Sequence, residues 1–430
     1  MHSASIDRDA VAAIRGEKID WRFKGMPSAA FGSTIGEVAD RRLDLFTDGF
    51  VGPLVVLDAA ALEHNLSTMA RWCEQHGVAL APHGKTTMSP QLFARQLDHG
   101  AWALTAANAS QLRVYRAFGV SRVLLANQLL DRNALHWLAR ELTLDPEFEF
   151  SCWVDSVAGV AVMTEALGEV PPSRPVDVLV ELGGVGGRTG ARDQETAVAV
   201  AQAVAQSPAL RLVGVGGYEG ALAHDASDQA KYTVDGYLDA LRDLVLRLDD
   251  EGRFDGLDQV IVTAGGSAYF DQCAAKLTQP WPEGLPVLPV LRSGAYVSHD
   301  DGFYRGISPL SRTEGEQPFV SAIRAWAQVT SKPQDDLALL TIGKRDASFD
   351  EGLPEPQAVR RAGAESPLTG AAVTALNDQH AFLALTRDAS VEVGDWVGLG
   401  LSHPCTVFDK WQLIPVVDGS TVVDFVRTYF

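Results

Sequence analysis

Residues 79–128 read ALAPHGKTTMSPQLFARQLDHGAWALTAANASQLRVYRAFGVSRVLLANQ and show the order of elements most clearly. Three short apolar runs, at residues 79–83, 102–106 and 122–127, alternate with longer segments of good helix formers. Strands buried on both faces are apolar runs of this kind, and the segments between them are long enough for helices. The stretch therefore predicts successive β–α units of a parallel sheet.

The same alternation continues on both sides of this stretch. It predicts eight strands, at residues 54–58, 79–83, 102–106, 122–127, 149–155, 177–183, 211–218 and 259–263. Eight β–α units within roughly 200 to 250 residues fit a closed (β/α)8 barrel, the TIM barrel. An open doubly wound sheet is the alternative, but it has a glycine-rich turn after its first strand. Here Asp58-Ala59-Ala60 stands at that place, so we expect the α/β barrel.

Beyond residue 285 the pattern changes to short strand-like segments separated by Gly, Pro and Asp. This pattern predicts a second, C-terminal β domain. We expect an N-terminal segment at 1–50 that packs on the β domain, the barrel at 51–284 and the β domain at 285–430. Residues 343–370, rich in Pro, Gly and charge, are predicted to form a surface connection within that domain.

The composition argues against several classes of partner. The chain has 430 residues, with 36 Lys and Arg against 55 Asp and Glu, and a net charge of −19. A surface this acidic repels nucleic acids and anionic membranes, so we expect neither as a partner. The four cysteines are far apart in the sequence, and the N-terminus has charges where a secretory peptide has its apolar core. We therefore expect a cytoplasmic protein.

Two strand ends carry the residues that point to a cofactor. Barrel enzymes place catalytic groups at the C-terminal ends of strands, and the second predicted strand runs into Pro82-His83-Gly84-Lys85-Thr86. Desolvation at the barrel mouth lowers the pKa of a lysine and makes its amine reactive; a lysine that caps a rim loop is the alternative.

The eighth predicted strand ends in Gly265-Gly266-Ser267, just before a predicted helix. Backbone N–H groups at such a turn predict an anion site. An ordinary turn with Ser267 as the helix N-cap is the alternative. An amine for an aldehyde together with N–H groups for a phosphate suits pyridoxal phosphate.

Three further motifs are candidate ligand contacts. Arg188 follows the sixth predicted strand and Tyr218 ends the seventh, where they are able to contact a cofactor ring or, alternatively, form a rim salt bridge and a packed aromatic. His403 and Cys405 are one residue apart, and imidazole with thiolate suits Zn²⁺. A buried, unconnected His and Cys is the alternative.

Taken together, these motifs resemble the fold-type III pyridoxal phosphate enzymes, in the D-serine dehydratase and D-threonine aldolase group related to alanine racemase. The motifs that carry the resemblance are Pro82-His83-Gly84-Lys85-Thr86, Gly187-Arg188-Thr189-Gly190, Gly217-Tyr218, Gly265-Gly266-Ser267, Arg292-Ser293-Gly294-Ala295-Tyr296 and His403-Pro404-Cys405. The resemblance implies a barrel with a β domain, and a homodimer with active sites near the interface.

The resemblance also implies a role for each site residue. Lys85 is the catalytic lysine that condenses with the aldehyde of pyridoxal 5'-phosphate, and the other implied cofactor contacts are His83, Arg188, Tyr218, Gly265, Gly266 and Ser267. His403 and Cys405 hold a divalent metal. The related aldolases have Asp where this chain has Cys405, so the thiol favours the zinc-dependent dehydratases.

The expected function is a pyridoxal phosphate-dependent D-amino acid dehydratase or deaminase that converts D-serine to pyruvate and ammonia. One alternative is a D-threonine-type aldolase that cleaves β-hydroxy-D-amino acids to glycine and an aldehyde. Another alternative is a pyridoxal phosphate carrier without catalytic activity.

Overall fold

The computed structural model describes residues 2–430, which form two compact units. The barrel unit contains residues 2–7, Met69–Lys85 and Arg95–Gly294. The β unit contains Arg8–Thr68, Thr86–Ala94 and Ala295–Phe430. None of the helices in residues 2–430 has both the length and the apolar character needed to cross a membrane.

The barrel unit is built on eight parallel strands, as counted within residues 2–430. In chain order they are Ala79–Leu80, Leu104–Ala106, Arg122–Gln128, Glu149–Val154, Val176–Leu182, Leu210–Gly217, Val260–Thr263 and Val287–Leu291. From Leu104–Ala106 onward each strand pairs with the next in the chain, and the last strand pairs with Ala79–Leu80. The sheet closes between the first two strands, where the N–H of Trp102 donates to the carbonyl of Leu80 at 2.7 Å. The predicted (β/α)8 barrel is therefore confirmed.

Two strands belong to a different sheet from the one predicted. Leu54–Asp58, predicted as the first barrel strand, lies in the sheet of the β unit, where Leu54 pairs with Trp326. Val287–Leu291, predicted for the β domain, is the eighth barrel strand. The strand assignment was wrong at these two places because both runs are buried and apolar, which does not distinguish one sheet from another. The predicted boundaries at residues 50 and 284 shift with them.

Helices follow most of the barrel strands and begin at capping side chains. Asn108, Asp131, Ser156, Asp193 and Ser227 each accept a hydrogen bond from the backbone three residues further on. The α-helices of residues 2–430 are Arg8–Ala13, Ile35–Asp40, Ala59–Gln75, Pro90–Asp98, Ala109–Ala117, Arg132–Leu144, Val157–Glu169, Gln194–Gln206, Asp228–Asp250, Phe270–Leu277, Phe303–Ile307, Pro309–Arg312 and Cys405–Phe408.

The β unit holds a ten-stranded, largely antiparallel sheet. Its strands are Leu54–Asp58, Ile323–Gln334, Leu337–Leu340, Glu355–Arg361, Ala364–Pro367, Ala371–Leu376, Ala381–Leu385, Trp396–Gly400, Leu413–Asp418 and Thr421–Arg427. The long strand Ile323–Gln334 is central, because it pairs with three others. The C-terminal β domain expected from the sequence is present in this unit.

Two further segments belong to the β unit, residues 343–370 and the N-terminal segment from Arg8 onward. Residues 343–370, predicted as a surface connection, contain the hairpin of Glu355–Arg361 and Ala364–Pro367. Its two-residue turn has positive φ at both positions, 49° at Ala362 and 85° at Gly363, as a tight hairpin turn requires. The N-terminal segment lies in the β unit from Arg8 onward.

Candidate active site

The C-terminal ends of the parallel strands meet at one end of the barrel, so their last residues are neighbours. Lys85 lies there in a short 3₁₀ turn, Gly84–Thr86, and is half-buried. The turn is anchored to the next strand by a parallel bridge between His83 and Thr105. The predicted position of Lys85 at the barrel mouth agrees with this geometry.

His83 immediately precedes this turn and lies among positive charges. Burial lowers the pKa of its imidazole well below the ordinary value, and the charges of Lys85, Arg292 and Arg188 lower it further. The ring is therefore neutral at pH 7, and its buried Nδ1 has no hydrogen-bond partner within residues 2–430. A Cβ at Gly294 would lie 2.5 Å from the His83 carbonyl oxygen, so this close approach requires glycine.

Arg292 follows the last barrel strand and is fully buried, with 1% of its surface exposed. Its guanidinium donates to the Thr263 hydroxyl and the Gly217 carbonyl and lies 4.9 Å from the Trp153 ring. Burial lowers its pKa, and the Glu219 carboxylate acts in the opposite direction. Among the described residues, 2–430, the Arg292 Nε and the Trp153 Nε1 are buried without hydrogen-bond partners. Two donors are thus left for a ligand.

Arg188 and Tyr218 lie on neighbouring loops, as predicted. The Arg188 guanidinium lies 5.3 Å from the centre of the Tyr218 ring, and Arg188 is exposed. Arg192 stabilises the loop that carries Arg188, because its guanidinium donates hydrogen bonds to the carbonyls of Gly187, Arg188 and Thr189. The alternative of a rim salt bridge for Arg188 is not what the described contacts show.

A buried carboxylate, Glu181, supports the same loop. It accepts hydrogen bonds from the Thr189 hydroxyl at 2.9 Å and from the Gln128 amide at 2.5 Å. Burial raises the pKa of Glu181, and these two hydrogen bonds oppose the rise. Sequence reasoning gave Glu181 no role, although its place at the end of a strand was a signal.

The turn at Gly265-Gly266-Ser267 has a protein partner that the sequence did not reveal. Its first two N–H groups, which are predicted phosphate donors, donate to the carboxylate of Glu219 at 2.9 Å and 2.7 Å. The following helix begins at Phe270 with Tyr269 as its N-cap, so the alternative of Ser267 as N-cap is wrong. Gly265 has a φ of +98°, which accounts for glycine at this position.

These residues fit pyridoxal phosphate. The barrel end brings an amine, two guanidinium groups and a neutral imidazole into range of one another. Buried donors without partners remain on Arg292 and Trp153. A cluster of cations with an unpartnered imidazole nitrogen suits an anionic ligand that carries a phosphate and a phenolic oxygen.

The candidate metal ligands His403 and Cys405 lie together in the β unit. Their side chains interact, and this interaction with Cys405 is the main cause that raises the pKa of His403 to about 9. Asp350, which sequence reasoning missed, contributes to the same rise and contacts the His403 Nδ1 at 2.6 Å. The electrostatic link between the two side chains favours a connected pair over the alternative of an unconnected His and Cys.

The backbone of His403 is held in an unusual conformation with φ at 49°. The N–H of His403 donates to the buried carboxylate of Asp300 at 2.9 Å, and the Thr406 hydroxyl donates to Asp350 at 2.8 Å. Across residues 2–430, no group of three or more His, Cys, Asp or Glu side chains has a metal-binding arrangement. His403 and Cys405 therefore remain predicted ligands, and Asp350 contacts the Nδ1 of His403.

The fold and the barrel-end residues define a class, the pyridoxal phosphate proteins with an alanine racemase-like barrel and a β domain. The sequence matches the family "Alanine racemase, N-terminal domain" over residues 57–278, more than half of the chain. The chain belongs to this fold-type III family, as the resemblance indicated. Residues 322–417 match a second family, "Putative serine dehydratase domain".

Named relatives share both units. A D-threonine aldolase of an Arthrobacter species is 26% identical over 86% of this chain and 90% of its own length. The crystal structure of D-threonine aldolase from Filomicrobium marinum has a TM-score of 0.74 at 26% identity, covering 88% of this chain and 95% of that one. D-threo-3-hydroxyaspartate dehydratase from Delftia sp. HT23 has a TM-score of 0.68 at 20% identity, covering 88% and 98%, which supports the fold.

Proposed function

We propose that this protein is a pyridoxal phosphate-dependent lyase for β-hydroxy-D-amino acids that converts D-serine to pyruvate and ammonia with the help of a divalent metal, zinc. The observation that carries the proposal is the cluster of Lys85, Arg188 and Arg292 around the neutral ring of His83. Such a cluster attracts the carboxylate of an amino acid and the phosphate of the cofactor.

Lys85 is the proposed acid–base residue. Its amine would hold the aldehyde of the cofactor and would accept the Cα proton of the substrate at Nζ. Pyridoxal phosphate, when bound, supplies the electron sink for the negative charge at Cα. Arg188 and Tyr218 would hold its ring. Ser267 would contact its phosphate, while the amides of Gly265 and Gly266 already have Glu219 as their acceptor.

His403 and Cys405 would hold the metal through Nε2 and Sγ, because Asp350 engages the other ring nitrogen. A divalent metal supplies Lewis acid chemistry for loss of the β-hydroxyl. The chain would thus remove the Cα proton and release water, and hydrolysis of the resulting enamine yields pyruvate and ammonia. The donor set supports zinc, since imidazole and thiolate are both zinc ligands.

Two matches support a dehydratase. Cys405 lies inside the segment that matches the serine dehydratase domain. A solved D-threo-3-hydroxyaspartate dehydratase in which a cysteine is replaced by alanine is in a metal-free form. These matches favour a role for the Cys405 thiolate in metal binding, and the dehydration of D-serine as the reaction.

A D-threonine-type aldolase is the second candidate, favoured by the Arthrobacter relative that covers 86% of this chain. In that reaction the β-hydroxyl loses its proton and the Cα–Cβ bond breaks, whereas in dehydration the Cβ–O bond breaks. The same barrel residues would serve both reactions. Only the aldolase reaction needs a group that takes the proton of the β-hydroxyl, so the presence of such a group would distinguish the two.

Product analysis over a panel of D-amino acids, with and without zinc, tests the proposal. Pyruvate and ammonia from D-serine, lost on treatment with EDTA and restored by zinc, are the expected result. Glycine and acetaldehyde from D-threonine, without pyruvate from D-serine, would establish the aldolase instead. Cofactor binding without any product would identify a carrier.

The resemblance to the family further supports a homodimer, and the dispersed cysteines support a cytoplasmic location. We include both in the proposal. Sedimentation of the holoenzyme at micromolar concentration tests the first. A mass of one chain would contradict it.

A further inference from the structure

The Glu219 carboxylate has an unusual setting for a charged group. Its exposed fraction is 0%, and both of its oxygens accept hydrogen bonds from backbone N–H groups of the turn after the seventh barrel strand. The buried Cys273 thiol and the buried Arg292 guanidinium both interact electrostatically with it. A buried charge is stable only with such partners on every side.

Resting on the proposed function, we infer that Glu219 is a positioning residue that fixes the phosphate-binding turn. Its two oxygens hold the N–H groups of Gly265 and Gly266, so the cofactor phosphate binds the groups that follow, beginning with the N–H and hydroxyl of Ser267. The left-handed conformation of Gly265, with φ at +98°, is set by the same contacts. The turn is thereby preorganised before the cofactor arrives.

The rival explanation is that phosphate displaces Glu219 from these amides. The hydrogen bond from Gly265 is buried, and a phosphate dianion has no exposed approach to it. Displacement would also leave Arg292, 1% exposed, without its nearest carboxylate. Uncompensated buried charge is strongly unfavourable, so the observed partners favour a fixed Glu219.

The variant Glu219→Gln separates the two explanations. The glutamine side chain has an oxygen that accepts and an NH₂ group that donates. One of the two backbone N–H groups, of Gly265 or Gly266, therefore faces the NH₂ group and loses its acceptor. A fixed role predicts that the dissociation constant of pyridoxal phosphate rises at least tenfold while that of pyridoxal, which lacks the phosphate, changes less than twofold. Tighter or unchanged binding of pyridoxal phosphate would overturn the inference.

Glu181→Gln is the matched control. Glu181 is also a buried carboxylate at a barrel strand end, but its partners are the side chains of Thr189 and Gln128. This variant should change the affinities for pyridoxal phosphate and pyridoxal by the same factor. A selective loss of pyridoxal phosphate binding in this variant as well would contradict a specific role for Glu219.

Hydrogen exchange of the unmodified protein provides a test that does not depend on the variant folding. The amides of Gly265 and Gly266 should exchange slowly and at the same rate with and without pyridoxal phosphate, whereas the Ser267 amide should slow at least tenfold when the cofactor binds. A tenfold slowing at Gly265 or Gly266, or none at Ser267, overturns the inference.

The failure of this inference is distinguishable from failure of the proposed function. Absence of any visible absorbance change when pyridoxal phosphate is added would refute the cofactor itself. In that case fast exchange at Gly265 and Gly266 would still refute the fixed role of Glu219, and slow exchange would support it.

Discussion

His83 in the barrel unit and His403 in the β unit have opposite pKa shifts. Burial, followed by the charges of Lys85, Arg292 and Arg188, lowers the pKa of His83 well below its ordinary value. Contact with Cys405, followed by Asp350, raises the pKa of His403 to about 9. A histidine side chain is thus kept neutral by burial and by surrounding cations in the barrel unit, whereas in the β unit the protonated form of another histidine is stabilised.

The difference indicates what each region is suited to hold. The barrel end has an excess of positive charge and a neutral imidazole, which favours an anionic ligand such as a phosphorylated cofactor. The His403 region has a thiol and a carboxylate around one imidazole, which favours a cation. Four variants test this comparison, and the first removes the reactive amine of the barrel end.

Lys85→Ala should reduce turnover of D-serine by on the order of 10³-fold or more, since it removes the proposed acid–base group. The visible absorbance of the lysine-bound cofactor should disappear with it. Steady-state assays and absorption spectra of the purified variant measure both. Lys231→Ala, on the surface of the helix Asp228–Asp250, is the control and should retain full activity. Turnover of Lys85→Ala at the unmodified rate would remove the amine from the mechanism.

His299 sharpens the comparison, because it is a buried histidine of the β unit with a lowered pKa. Burial, and then the charge of Arg305, lowers the pKa of His299 to about 4. The folded form stays neutral while the unfolded form gains a proton below about pH 6.5, so its stabilising effect is present above that pH and is lost toward pH 4. A shift from 6.5 to about 4 corresponds to roughly 3 kcal/mol.

His299→Gln should therefore lack this part of the acid destabilisation. Urea unfolding of both proteins between pH 7 and pH 4 measures the difference in the free energy of unfolding. His380→Gln, at an exposed position, is the control and should follow the unmodified protein. Parallel pH profiles for the unmodified protein and His299→Gln would show that burial does not control this histidine.

Cys405→Ala should lower the affinity for zinc by about 100-fold, since it removes one of two protein donors. Zinc content after dialysis against a competing chelator gives the measurement. The buried Cys73 provides the control, because Cys73→Ala should leave the zinc content unchanged. Equal zinc content in both variants would contradict a cation site at His403.

Asp350→Asn should have the smallest effect, a loss of about tenfold in zinc affinity, because it weakens the partner of the His403 Nδ1 without removing a ligand. The same zinc titration detects it. Unchanged affinity would mean that Asp350 does not orient the ring.

Local patterns in the sequence predict most of the barrel, because strands and helices alternate with clear apolar runs and capping residues. They also predict Lys85, Arg188 and Tyr218 at strand ends, where the structure places them. The assignment of Leu54–Asp58 to the barrel was wrong because an apolar run does not reveal its partners. Pairing partners lie far away in the chain, as Trp326 does from Leu54.

The residues that sequence reasoning missed owe their role to tertiary partners. Glu219 acts on Gly265 and Gly266, and Asp350 acts on His403. Each pair joins separate segments of the chain, so neither residue type nor spacing marks it. The contact of Gly265 and Gly266 with Glu219 was not expected from the sequence for the same reason, since this acceptor comes from another strand end.

The most direct test of the account is to identify the lysine that carries the cofactor. The holoenzyme is reduced with borohydride, which makes the bond between lysine and cofactor permanent, and the digested protein is examined by mass spectrometry. The account predicts a phosphopyridoxyl group on Lys85. The same group on another lysine, or on none, would contradict it.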